Sequence, residues 1–393
     1  LTANQSVDDI TISGGTLAQV AKNLTVGGDV TITSGSITRT SGTFAGGVVT
    51  ADGTTLTLSS NPTFSGAFTA SYSGIVLSGA TFNGTATITK TGTSDDAGAG
   101  GNAFNSTTTI TNNGSSGYLG MGWSSADTFS GDVTFTNTST GTTYVARLVG
   151  AVFNGNIIVN NTSTGTINFG YTWATPSTVA SNKTISVGGS GFSGGTLDLT
   201  QMVYNNTATL TLELTGTAIL SSSKGTIFAG NVNFTAPGIK LYNTTFNGTA
   251  TITKNGASSD ILDGADVFNS TAIITNSGTG YLLIAGAETY NGNVTFVKSG
   301  SGAIYSGWGA YTDTFAGDLT VTNTVGTVTF GSYGTIAGFS KATGTQVLTT
   351  NGSTIPKLTH SGAGTLQLAS TLTVNNTLTN SAGTFDLNGQ TLV

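Results

Sequence analysis

The side chains able to do acid, base or metal chemistry are few: one His, two Arg, and carboxylates that gather at Asp95-Asp96 and at Asp260, Asp263 and Asp266. Carboxylate oxygens so grouped suit Ca²⁺, which makes Asp260, Asp263 and Asp266 candidate ligands. The run Asp-Ile-Leu-Asp-Gly-Ala-Asp nevertheless lacks the spaced loop of a helix-loop-helix site, and no nonapeptide calcium repeat is present. A solvated, turn-forming loop is the preferred reading of both acidic segments. A hydrolase or lyase would need His, Lys or Arg to converge with carboxylates on one exposed face. His360, in Leu358-Thr-His-Ser-Gly, is placed at the solvent-facing phase of a strand with a structural role, and Arg39 and Arg147 read as isolated surface charges. The expectation is a protein that is not an enzyme and needs no cofactor.

Binding chemistry is equally sparse. Trp123, Trp173 and Trp308 lie in irregular segments and could form an aromatic platform for sugar, although capping of the core is preferred. Thr85, Thr87, Thr89, Thr249, Thr251 and Thr253 resemble the flat Thr rows that bind ice, but the units vary in length and β-propensity alone selects exposed Thr. Asn83, Asn105, Asn154, Asn247 and Asn269 are expected to stack their amides in ladders at corners.

The elements that position these residues come from repetition. Phe82-Asn-Gly-Thr-Ala-Thr-Ile-Thr returns at Phe246, and looser copies open at Phe44, Phe64, Phe104, Phe129, Phe153, Phe192, Phe228, Phe268, Tyr290 and Phe315. Their spacing is mostly about 18 to 25 residues, with two gaps of nearly double that in which an aromatic has been replaced, a period typical of solenoids. Within a copy, Phe82, Gly84, Ala86 and Ile88 fall on one side and Asn83, Thr85, Thr87 and Thr89 on the other, which is the alternation of a strand. A strand with one apolar face cannot bury it alone, whereas stacking coils at about 4.8 Å puts like over like. The twelve aromatics are therefore expected to form one core stack. Phe-x-Gly is read as a corner, its Gly admitting a positive φ or a close backbone approach.

A longer unit overlies the short one: residues 81–170 match 245–331 with small insertions, as if a block of several coils had been duplicated. The fold expected is all-β, a single continuous parallel β-solenoid over 1–393 with roughly 18 coils of about 22 residues. Both ends remain strand-like without a polar cap, which suggests a segment of a longer rod.

Composition agrees. The chain has 58 Gly and only 4 Pro, yet 37% hydrophobic residues with 19 Phe and 11 Tyr in alternation argue for a packed structure over disorder. Glu occurs only at Glu213 and Glu288, and no helical period persists. A net charge of -6 with 11 Lys plus Arg argues against a nucleic-acid surface, and no apolar run of about 18 residues suggests membrane insertion. Cys is absent, so disulfides and thiolate metal sites are excluded.

The phrases Ile10-Thr-Ile-Ser-Gly-Gly-Thr-Leu, Leu24-Thr-Val-Gly-Gly-Asp-Val-Thr-Ile and Gly383-Thr-Phe-Asp-Leu-Asn-Gly-Gln-Thr-Leu resemble the repetitive regions of giant surface proteins of Bacteroidota, including gliding-motility adhesins. The resemblance covers most of the chain in texture and rests on short motifs. It implies a right-handed solenoid on the outer surface of a Gram-negative bacterium, acting as the structural shaft of a filament or adhesin in attachment or gliding. Its partners would be flanking solenoid segments, surface glycans or other filament copies. A carbohydrate-binding or polysaccharide-degrading solenoid is the alternative function, and an ice-binding solenoid the third.

Overall fold

A computed structural model describes the chain apart from residues 1–2, 20–21, 27–29, 33–35, 40–43, 46–48, 59–60, 65, 172–174, 263, 308–310, 327 and 331–335. The fold is all-β, a parallel β-solenoid of about 15 coils with no helix among the described residues. That is fewer than the roughly 18 coils expected from an even period, because coils lengthen. Equivalent residues of neighbouring coils stand 18 apart at Asn231 and Thr249 but 26 apart at Ala151 and Ser177.

One coil shows the plan. A short strand Thr81–Phe82 turns a corner into Ala86–Lys90, and a second corner leads to Asp96–Ala97. The next coil repeats this as Ala103–Phe104, Thr108–Asn112 and Leu119–Gly120. Each strand pairs in parallel with its counterpart, Phe82 on Phe104, Ile88 on Ile110 and Asp96 on Leu119. The alternation in Phe82-Asn-Gly-Thr-Ala-Thr-Ile therefore spans two strands on different walls. The inward phase survives the corner, so Phe82, Ala86 and Ile88 are all buried while Thr87 is exposed. Burying each such Phe or Ile contributes about 1.5–3 kcal/mol, and β-branched Thr suits the outer face.

The corner glycines are explained by proximity. Gly84, Gly155, Gly248 and Gly317 are not among the positive-φ residues. A Cβ on Gly84 would lie 2.2 Å from the Gly66 carbonyl oxygen, and one on Gly155 would lie 2.0 Å from that of Gly131. Stacked corners touch backbone to backbone, and only Gly leaves the space.

The chain divides into two compact units, Leu1–Tyr204 and Asn205–Val393. In the first, the longest wall among the described residues is a nine-stranded sheet from Ile10–Ile12 to Ile185–Phe192. Its last strand slips register between Val159 and Asn161 of its neighbour. In the second unit a nine-stranded sheet runs from Leu210–Glu213 to Thr384–Asp386.

Candidate functional site

The most ordered constellation in each unit is a column of rings. In the first unit Phe64, Phe82, Phe104, Phe129 and Phe153 stack at centroid separations of 5.2, 4.9, 4.7 and 5.1 Å. In the second, Phe228, Phe246, Phe268, Tyr290 and Phe315 do so at 5.4, 4.9, 5.1 and 5.1 Å. Coil spacing holds the rings face to face, because in-register pairing aligns their Cα atoms.

Two of the aromatics named from sequence stand otherwise. Phe44 lies in strand Phe44–Ala45 opposite Leu24, and its side chain is outside what is described. Phe192 is buried but outside the column: it pairs with Asn161 on a different wall, and the column positions after Phe153 are Val179 and Tyr204. The physical reason is the slipped strand Ile185–Phe192, whose glycines let it run on to a ring followed, as elsewhere, by Ser-Gly. Phe339, missed because no Gly follows two positions on, extends the second column at 5.4 Å from Phe315.

His360 occupies the next column position, paired with Phe339 on one side and Asn380 on the other. It is fully buried, which corrects its solvent-facing assignment. Leu358 and His360 are two residues apart in one strand and so share a face. Its Nδ1 lies 2.7 Å from Asn380 Oδ1. Among the described residues no nucleophile or carboxylate is hydrogen-bonded to its ring, so the geometry is that of a core residue.

The acidic segments also turn inward. Asp96 and Asp260 are buried, each beside a buried lysine: Lys90 Nζ is 3.9 Å from Asp96 Oδ2 and Lys254 Nζ is 3.8 Å from Asp260 Oδ2. Each ammonium also donates to a loop carbonyl, Lys90 to Gly92 at 2.5 Å and Lys254 to Gly256 at 2.8 Å. Each carboxylate accepts a serine hydroxyl, from Ser94 and Ser258. Burial pushes both lysines below the usual ammonium range and Asp260 above the carboxylate range, against the attraction within the pair. In other coils the same strand end carries Asn: Asn137 and Asn161 donate to Gly141 and Gly165 at 2.9 and 2.7 Å. This row ties a corner to the end of the strand that precedes it.

The Ca²⁺ candidates are consequently not assembled. Asp260 faces Lys254, Asp266 accepts the Thr244 amide at 2.8 Å, and Asp263 lies outside the described residues. No group of three or more His, Cys, Asp or Glu is arranged to hold a metal among the described residues. Asp96, Asp260 and Asp266 are structural joints, while Asp95 remains exposed.

On the surface, Asn105 donates to Asn83 at 2.9 Å, and Asn247, Asn269 and Asn291 form a three-rung amide ladder at 2.8 Å per step. Arg147 is not isolated: it lies over the rings of Trp123, Tyr144 and Tyr118 at 4.1, 4.6 and 4.8 Å. Trp173 and Trp308 lie outside the described residues. No protein-family model, curated protein or solved structure matches the chain.

Proposed function

We propose that the chain is a load-bearing shaft segment of an extracellular filament or adhesin, one that holds a binding region away from the surface of a Gram-negative cell and transmits force in attachment or gliding. The observation that carries this reading is the in-register parallel stacking within each unit, with ring over ring and corner glycine over corner glycine. The hydrogen bonds between coils run along the stacking direction. Each is worth about 0.5–1.5 kcal/mol net, and those of one coil boundary bear a pull in parallel. The fluctuation of one bond therefore leaves the others holding.

Single-molecule extension of the chain between its ends tests the reading. The expected trace has discrete unfolding events at forces well above those that stretch a disordered linker of equal length. Extension at linker-like force would remove the mechanical role, and absence of antibody labelling on intact cells would remove the surface location.

Carbohydrate binding is a second reading, favoured by one surface feature. Tyr118, Tyr144 and Tyr171 stand on successive coils with rings 5.6 and 5.9 Å apart, beside Trp123 and Arg147. Such rings offer flat apolar area with polar edges. Glycan-array binding that disappears in Tyr144→Ala would favour it over a purely mechanical part.

A further inference from the structure

In the second unit, one row of the coil collects acids. The residue two positions before the column ring is Asp266, Glu288 and Asp313 in three successive coils, since Val267 pairs with Thr289 and Thr289 with Thr314. All three are buried, Glu288 completely. Asp266 Oδ1 accepts the Thr244 amide, and Asp313 accepts the Glu288 amide at 3.3 Å and the Ser306 hydroxyl at 2.7 Å. The remaining oxygens are stranded: Asp266 Oδ2, both carboxyl oxygens of Glu288 and the hydroxyl of Tyr290 make no hydrogen bond.

The groups that face the row are themselves acidic or neutral. Tyr290 feels Asp313, Glu288 and Asp266, and Glu288 feels Asp313 and Asp266. The preceding coil contributes Thr244, itself 2.9 Å from Ser222, and the adjoining wall contributes Ser306. No Lys, Arg or His among the described residues forms an ion pair with the row: Lys298, in the Glu288 coil, donates to the Gly300 and Val325 carbonyls, and Lys254, in the coil before the row, is engaged with Asp260. The Glu288 and Asp313 carboxyls can share a hydrogen bond only while one of them holds a proton.

Directly outside the row lies an opening. Gly264, Ala265, Gly286, Ala287 and Tyr311, which precede the acids in sequence, line a surface cavity of about 340 Å³ together with Tyr242. A Cβ on Gly286 would sit 2.6 Å from Glu288 Oε1, so little more than backbone separates that carboxyl from the cavity.

We propose that the Asp266, Glu288 and Asp313 row is a proton-operated seam: shared protons hold these three coil boundaries shut, and their loss places uncompensated negative charge in the core and opens the coils towards the cavity. Burial raises Asp266 to about 7. Burial and mutual repulsion raise Glu288, and burial raises Asp313. The folded state therefore binds more protons than the unfolded chain above the ordinary carboxyl range. The stabilisation is complete below about pH 4 and is lost as pH rises through the raised values. The device needs only the two or three protons of the row.

Amide exchange of the full chain, corrected for intrinsic rates and compared at about pH 5 and about pH 9, reads the seam directly. Peptides spanning residues 264–268, 286–290 and 311–315 should lose protection by at least about tenfold, the effect of one proton over one pH unit, while peptides around Leu366 should not. In the double variant Asp266→Asn with Asp313→Asn, which keeps the shape and cannot ionise in that window, most of that loss should vanish. Equal protection at both pH values, or an undiminished loss in the double variant, would overturn the proposal. If that variant fails to fold, infrared spectra of Asp127→Asn, which lacks the raised carboxyl of the first unit, decide: a protonated-carboxyl band at about pH 6 that weakens by about pH 9 supports the seam, and no such band at about pH 6 refutes it.

Discussion

The rings of Phe104 and Phe129 lie 4.7 Å apart with planes 3° from parallel, a spacing set by the coils that carry them. Backbone pairing of Phe104 with Phe129 fixes the two Cα atoms, so neither neighbour can move in if one ring is removed. Phe104→Ala should therefore leave an open void between Phe82 and Phe129 and destabilise the first unit by about 3–5 kcal/mol. Phe104→Leu should cost less. Urea unfolding of both variants checks this, and a cost for Phe104→Ala below about 1 kcal/mol would mean the column relaxes freely.

Close stacking at the corners separates two kinds of glycine. A Cβ at Gly248 would stand 2.4 Å from the Gly230 carbonyl carbon and 2.6 Å from the Asn231 nitrogen, both backbone atoms of the coil below. At Gly189, which is not among the positive-φ residues, a Cβ meets nothing within 4 Å. Gly248→Ala should cost about 1–3 kcal/mol by forcing two coils apart. Gly189→Ala should be neutral or slightly stabilising, within about 1 kcal/mol, because it removes unfolded-state freedom. Thermal denaturation of the pair gives the answer, and equal effects would show that corner packing is not what selects Gly.

The ring column was legible in the sequence because one residue type recurs with a solenoid period and alternation fixes its side. What escaped was the substitution of other residues into the same file: Val179, Tyr204 and His360 occupy column positions but carry no Phe-x-Gly signal, whereas Phe192 carries one and sits elsewhere. Lys90 shares the phase of Ala86 and Ile88 and is buried with them. Charge suggested the opposite, and only the corner carbonyl of Gly92 and the carboxylate of Asp96 make its burial tolerable. The burial of Asp266 was not legible at all, since nothing in its neighbours' types says which loop residues begin a column strand.

The Lys254 and Asp260 pair, with side chains 0% and 2% exposed, offers a test of that compensation. Lys254→Met leaves Asp260 buried without its cation and should destabilise the second unit by about 3–5 kcal/mol. Lys254→Met combined with Asp260→Asn removes both charges and should recover a substantial part of the loss. The coupling energy from the double-mutant cycle should exceed about 1 kcal/mol. Strict additivity would show that the lysine acts through its bonds to the Gly256 and Gly280 carbonyls alone.

Asp127 occupies the first unit's version of the acid row, directly ahead of strand Thr128–Phe129, and it stands without a second acid. It is fully buried, its Oδ1 accepts both the amide and the side chain of Asn102 at 2.8 Å, and burial raises its carboxyl to about 7. Because the folded value lies above the unfolded one, the folded chain holds the extra proton. Stability from this group is complete below about pH 4 and falls by about 1.4 kcal/mol per pH unit up to about 7, where both states become ionised and the slope ends. Asp127→Asn keeps the acceptor for Asn102 and cannot ionise. At about pH 4 it should match the wild type within about 1 kcal/mol, and by about pH 7 it should be the more stable of the two. Amide exchange in the coils carrying Phe104 and Phe129, measured across that range, resolves the difference. A variant that tracks the wild type at every pH would mean Asp127 is ionised in the folded core, its charge met by Asn102 alone.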